Sequence, residues 1–262
     1  MDLTTAEVYV AAVLAKDIAL QEVFQAGGNF HSTIAKKVFR LPCTVEEVAG
    51  LYPDKRQAAK AVTFGIMYGA GPAKISEQVT KDSGKRFSRM EAQNVIDEYF
   101  GAFHRLKSWI KENQDFIKAN GFIYSYFGRK RRLPNVESTD KGIQSHSVRS
   151  GLNFLVQSTA SDINLLGAID MNSHIQKGGF KSRIFALVHD SILAEVPFNE
   201  VDYYCEALED YVQLDRGINI PNAPIGCDFE IGDDYSMGTV SYTHLRAHET
   251  VLDLVCRLLL EK

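Results

Sequence analysis

The 262 residues are 45% hydrophobic, enough for the packed core of one large domain or two smaller ones, and their formal net charge is −4. No apolar run reaches the length of a membrane span, and Met1-Asp2 has none of the basic-then-apolar character of a signal peptide, which argues against a membrane partner and for a cytoplasmic protein. Cys43, Cys205, Cys227 and Cys256 are scattered without metal-ligand spacing and suit a reducing compartment. The net charge hides an asymmetry. Leu51 to Ser150 holds 18 Lys and Arg against 10 Asp and Glu, a balance of +8 that leaves −12 for the rest. A basic middle between acidic ends suits a polyanionic partner for that region, with a solvated helical face as the alternative.

In chain order, Thr5 to Phe24 has the apolar spacing of one helix, ended near Ala26-Gly27-Gly28. Ser32 to Phe39 and Thr44 to Leu51 predict short amphipathic helices, the second opening on the capping-box string Thr44-Val-Glu-Glu47. Lys55 to Tyr68 predicts a helix stopped by Gly69-Ala-Gly71-Pro72, and Arg89 to Ile117 a long one charged on one side. Phe122 to Tyr126 and Arg131 to Pro134 flank Phe127-Gly128 as a β-hairpin. A helix from about Val148 to His174 precedes two apolar strands, Arg183 to Val188 and Ile192 to Val196, separated by His189-Asp190-Ser191. Helices first and a small antiparallel sheet later predict an α+β fold.

Within this frame, Arg56, Lys60, Phe64 and Tyr68 recur every four residues and share one helical face. Two cations followed by two rings suit a triphosphate at one end and a base and sugar at the other. Asp190, at a hairpin tip, is held by the strand ladder where a metal ligand is useful, although an Asp in a turn is also ordinary turn chemistry. Arg149, Asn153 and Gln157 again share a face, and amide side chains suit the acceptors common to all pairs in the DNA minor groove; a solvated polar face is the competing reading.

As strings, these segments resemble family A DNA polymerases. Arg56-Gln-Ala-Ala-Lys60 through Phe64 and Tyr68-Gly69 resembles motif B, Leu187-Val-His189-Asp190-Ser191 motif C, and Asp2-Leu-Thr-Thr-Ala-Glu7-Val-Tyr9 motif A, in the family's order. The resemblance implies a fingers helix in which Arg56 and Lys60 grip the phosphates of an incoming dNTP and Lys60 protonates the leaving pyrophosphate. Phe64 would lie against the sugar and Tyr68 near the templating position. It implies Asp2 and Asp190 as ligands of two divalent ions, with magnesium expected, and Glu7 as a gate against a ribose 2′-hydroxyl. Leu3 and Tyr9 depart from motif A, and Ser191 stands where the family usually has Glu, so a third carboxylate is missing. Asn29-Phe30-His31 falls where the family has Asp-x-His, which implies a phosphate contact for His31. Gly128-Arg-Lys-Arg-Arg132-Leu-Pro134 resembles the family's basic hairpin. Arg129, Arg131, Arg149, Asn153, Gln157 and His189 are thereby implied as contacts to primer-template DNA.

The implied organisation is a palm start at 1–12, fingers at 13–118 and palm at 119–239, with thumb and exonuclease-like domain absent and Met1 an internal or artificial start. Asp228 to Gly238 resembles the family's C-terminal strand and turn. Val240 to Thr250 and Leu254 to Lys262 instead resemble the translation of a transposase-type sequencing adapter, so 240–262 is expected to be a non-native tail, dispensable and disordered or loosely packed, with a genuine amphipathic C-terminal helix as the alternative. The compact fingers and the His-Asp-Ser string suggest a phage enzyme. The expected activity is template-directed DNA synthesis, and the alternative is a truncated, non-catalytic DNA-binding fragment.

Overall fold

The structure is a computed structural model; it describes residues 1–232 and, for the backbone alone, Val240–Tyr242. Among the described residues the chain forms two compact units: one built from 5–160 and 217–224, the other from 1–4, 161–216 and 225–232 with 240–242. These limits come from packing, whereas the sequence boundaries at 12 and 118 came from the family's functional subdivision.

The first unit is helical: α1 (Ala6–Ala15), α2 (Ile18–Gln25), α3 (Phe30–Phe39), α4 (Val45–Leu51), α5 (Pro53–Met67), α6 (Pro72–Ser83), α7 (Arg89–Ala102), α8 (His104–Asn120), the hairpin β2 (Phe122–Tyr124) and β3 (Lys130–Arg132), and the first part of α9 (Lys141–Gly178). The single helix expected over Thr5 to Phe24 is two, because Lys16 adopts a left-handed φ of 53° and Asp17 starts a new helix. Asp17 is only 1% exposed. Its carboxylate accepts from Leu20 N–H at 3.1 Å, capping α2, and from Leu106 N–H at 2.8 Å in the first turn of α8. Apolar spacing runs on through this joint, so periodicity could not reveal it. The long helix expected from Arg89 likewise breaks at Phe103, whose backbone (φ −122°, ψ 61°) turns its fully buried ring to within 4.8 Å of Tyr99.

Gly69 to Pro72 does stop α5, but Pro72 also opens α6, since proline at the first helical position forfeits an N–H with no intrahelical partner anyway. The sequence reading missed α6 because only Ile75 and Val79 mark its buried side. The helix expected from Val148 begins earlier, at Lys141, where Asp140 Oδ1 accepts from Gly142 N–H at 2.7 Å.

The second unit carries an antiparallel sheet in the order β4-β5-β1-β6-β7, formed by β1 (Asp2–Thr4), β4 (Arg183–Val188), β5 (Ser191–Glu195), β6 (Gly226–Ile231) and β7 (Val240–Tyr242). Residues 240–242 of the expected tail thus pair with β6, while the rest of that tail lies outside the described residues. With the sheet come residues 161–178 of α9 and α10 (Val201–Gln213), a helix missed in the sequence although Tyr204, Leu208 and Val212 bury a four-residue stripe. The two helices approach closely at Gly167, where a Cβ would lie 2.5 Å from a Val212 methyl.

Candidate active site

In the sheet unit, strand alternation positions the carboxylates. Met1 and Leu3 are buried and Asp2 and Thr4 half-exposed, so Asp2 lies on the open face. Asp2 is the register partner of Ser191 on β5 and of Asp228 on β6. The Ser191 hydroxyl donates to Asp2 Oδ1. β4 and β5 meet at a two-residue turn, His189-Asp190, as Val188 pairs with Ser191. His189 takes a φ of 57° there, a region that His tolerates better than most side chains, and Asp190 is thereby fixed next to Ser191. All the donors here are oxygens, which suits a hard divalent cation. Among the described residues no group of three or more His, Cys, Asp or Glu could hold a metal, so water and phosphate oxygens would complete the coordination.

In the helical unit, α5 buries Ala58, Ala59, Val62, Thr63, Ile66 and Met67, and turns Arg56, Lys60, Phe64 and Tyr68 away from that core. The stripe is joined at both ends. Arg56 donates to Ser32 Oγ at 3.2 Å and to Asn29 Oδ1 at 3.3 Å. The Tyr68 hydroxyl donates to Glu7 Oε1 at 3.0 Å, bringing the first turn of α1 to the end of α5. Between them, the His31 ring lies 5.5 Å from Phe64. Asn29 and Ser32 were missed as functional residues. Asn29 both caps α3, accepting from Ser32 N–H at 3.0 Å, and holds Arg56, and its position just before a helical run was the available signal.

Burial, and then the charges of Lys60 and Arg56, push the His31 pKa down to about 4. Its Nδ1 is buried with no hydrogen-bond partner, a polar atom left for a ligand. His31 therefore meets a ligand at neutral pH as an uncharged ring. Because its folded value lies below the ordinary 6.5, the unfolded chain takes up this proton first as pH falls. His31's contribution is intact above pH 6.5 and is lost progressively towards pH 4. Denaturant unfolding between these limits should show a flatter pH dependence for His31→Asn than for the unaltered chain, and equal slopes would contradict a neutral His31.

Of the residues expected at primer-template DNA, all but His189 also lie within this unit. Arg131, on β3, donates to Ser150 Oγ on α9 at 2.8 Å and lies 5.4 Å over the Phe154 ring. On the same helix Asn153 donates to Gln157 Oε1 at 3.0 Å. Arg149 packs on Gly69, whose φ of 67° and whose lack of a Cβ, which would fall 2.6 Å from the arginine chain, both require glycine. Arg129 is exposed in the hairpin loop, and His189 is exposed on the sheet unit.

The sequence model of DNA polymerase family A matches residues 1–237. The chain belongs to this family. It is 46% identical to the DNA polymerase of Escherichia phage T5 over 93% of this chain and 31% of that protein. It is 28% identical to DNA polymerase I of Caldicellulosiruptor bescii over 84% of the chain and 25% of the relative, and 26% identical to the thermostable DNA polymerase I of Thermus aquaticus over 90% and 26%. Among solved structures, the polymerase domain of Pol1 from M. smegmatis, in complex with DNA primer-template and dNTP, is similar at a TM-score of 0.72 and 26% identity, over 86% of this chain and 37% of that one. The chain thus spans about a third or less of the length of these curated relatives. The α+β fold expected from the sequence is the fold observed, and the phage relative is more similar to this chain than the two bacterial ones are. Divalent metal ions are general in the family, and no helix among the described residues is long and apolar enough to cross a membrane.

Proposed function

We propose that this family A chain carries out template-directed DNA synthesis as the fingers-and-palm portion of a longer polymerase, with palm at 1–12 and 119–239 and fingers at 13–118. The observation that carries the proposal is the outward stripe of α5 together with the two side chains joined to it, His31 and Glu7. Arg56, Lys60 and neutral His31 hold the triphosphate, and Lys60 passes a proton to the departing pyrophosphate. Phe64 faces the sugar, Glu7 crowds its 2′ position, and Tyr68 ties Glu7 in place. Arg129, Arg131, Arg149, Asn153, Gln157 and His189 hold the primer-template. Asp2 and Asp190 would hold two magnesium ions, which would supply neutralisation of phosphate charge and favour the ionised primer 3′-hydroxyl. That hydroxyl attacks the α-phosphorus of the dNTP. The proposed site of action is the cytoplasm, that of the host if the protein is phage-encoded, which suits the free thiols of Cys43, Cys205 and Cys227.

An upstream thumb and exonuclease-like part is the expected covalent partner, given the 31% span of the phage T5 relative. The chain by itself should bind a labelled primer-template hairpin, with affinity that falls as salt rises, and should add the next nucleotide slowly but only the complementary one. Equal addition of all four nucleotides, or DNA binding indifferent to salt, overturns the proposal. Binding without any addition would favour the second reading, a non-catalytic DNA-binding fragment.

A further inference from the structure

The hydroxyl of Ser191 has a defined place in the sheet, and it is not that of a substitute ligand. Ser191 and Asp2 are register partners on β5 and β1, so their side chains leave the same face of the sheet. Both are half-exposed, and the backbone beneath them is fixed on both sides. The Met1 terminal ammonium donates to Ile192 O at 3.1 Å, and Ile192 N–H donates to Met1 O at 2.9 Å. Two ordered strands therefore bring the serine hydroxyl to Asp2 Oδ1. A hydroxyl has one proton to give, and here it goes to one carboxylate oxygen, leaving Oδ2 for a cation.

Ser191 changes the electrostatics of the pair as well as its geometry. Directly opposed Cβ atoms in an antiparallel pair lie about 4.5–5.5 Å apart, and like charges placed there repel. Asp228 already opposes Asp2 on β6, and a carboxylate at 191 would add a further negative charge on its β5 side whenever no cation lay between them. The serine gives a hydrogen bond on that side instead, one that exists before any cation arrives.

We propose that Ser191 is a positioning residue for the divalent-ion site: it holds the Asp2 carboxylate in a cation-receptive orientation instead of contributing a ligand. The proposal rests on the reading of Asp2 and Asp190 as the metal-holding pair. Its consequence is a two-carboxylate site oriented in advance, so that binding a cation costs little rearrangement of Asp2.

The test is a Mn2+ titration of the 262-residue chain, followed by the electron paramagnetic resonance signal of free Mn2+, without DNA or nucleotide. Ser191→Thr, which keeps the donor, should bind as the unaltered chain does. Ser191→Ala and the near-isosteric Ser191→Cys should each bind about 3- to 10-fold more weakly, within the range that loss of a single hydrogen bond produces. Unchanged unfolding midpoints would locate the effect at the site, and a folding defect in the alanine variant leaves the cysteine variant to decide. Asp190→Asn, in parallel, should abolish the bound population. If Asp190→Asn does so while the alanine and cysteine variants bind as the unaltered chain, Ser191 does not position Asp2 and the metal reading survives. If Asp190→Asn binds like the unaltered chain, the metal reading fails and this proposal fails with it.

Discussion

Asp190→Ala should lower the rate of single-nucleotide addition by about 1000-fold or more, roughly 4 kcal/mol of transition-state stabilisation, while primer-template affinity changes less than threefold. The separation follows from where Asp190 sits. It occupies a turn closed by the Val188–Ser191 pair, so removing its carboxylate leaves the ladder of β4 and β5 intact. The cations proposed to bind phosphate stand elsewhere in the chain, so DNA should still bind. Because no group of three or more His, Cys, Asp or Glu among the described residues could hold a metal, losing one of the two proposed ligands should be more damaging than in a three-ligand site. The measurement is rapid-quench primer extension by a version extended upstream with the corresponding residues of the phage T5 relative. A loss of only about tenfold, roughly 1.4 kcal/mol, would contradict a metal-holding role.

Phe64→Tyr, in the same extended protein, should largely erase discrimination against dideoxynucleotides. Phe64 is half-buried beside His31, and its ring carries no polar group. In the proposed complex it faces the 3′ side of the sugar. A dNTP brings its own 3′-hydroxyl into this dry space, whereas a dideoxynucleotide leaves the surrounding polar atoms unpaired. Each such atom costs about 1–3 kcal/mol, and selection against a missing hydroxyl in a closed site can reach about 10⁴-fold. A tyrosine hydroxyl would fill the gap. Matched dNTP and ddNTP pairs, compared in single-turnover incorporation by both forms, give the selectivity ratios; equal ratios would mean that Phe64 does not face the sugar.

What could be read from the sequence differed by kind of residue. The face of α5 was readable because four-residue spacing is a helix's own repeat, and the buried set Ala58, Val62 and Ile66 lies opposite the stripe as that spacing requires. β4 was readable from its apolar run, and the turn at Asp190 from the polar break in it. The joint at Lys16-Asp17 was not, because it depends on Leu106, and no local pattern announces a partner 89 residues away. Nor was the grip on Arg56: Asn29 and Ser32 lie in a separate helix, and only the packing of α3 against α5 brings them to the guanidinium. The serine at 191 was seen as a missing carboxylate. Its positive role required the strand register, which sets which side chains face one another.

The carboxylate of Asp17 also bears on how the helical unit is made. A ribosome delivers Asp17 and the first turn of α2 together, so one carboxylate oxygen finds its partner within three residues. The other must wait for Leu106, after the whole of α2 to α7 has emerged. Until then a charged group destined for the interior remains hydrated, and burying it early would leave it half-satisfied at a cost. Consolidation of the N-terminal helices is thereby deferred until α8 arrives, and the amide of Leu106 closes a loop that spans most of the unit.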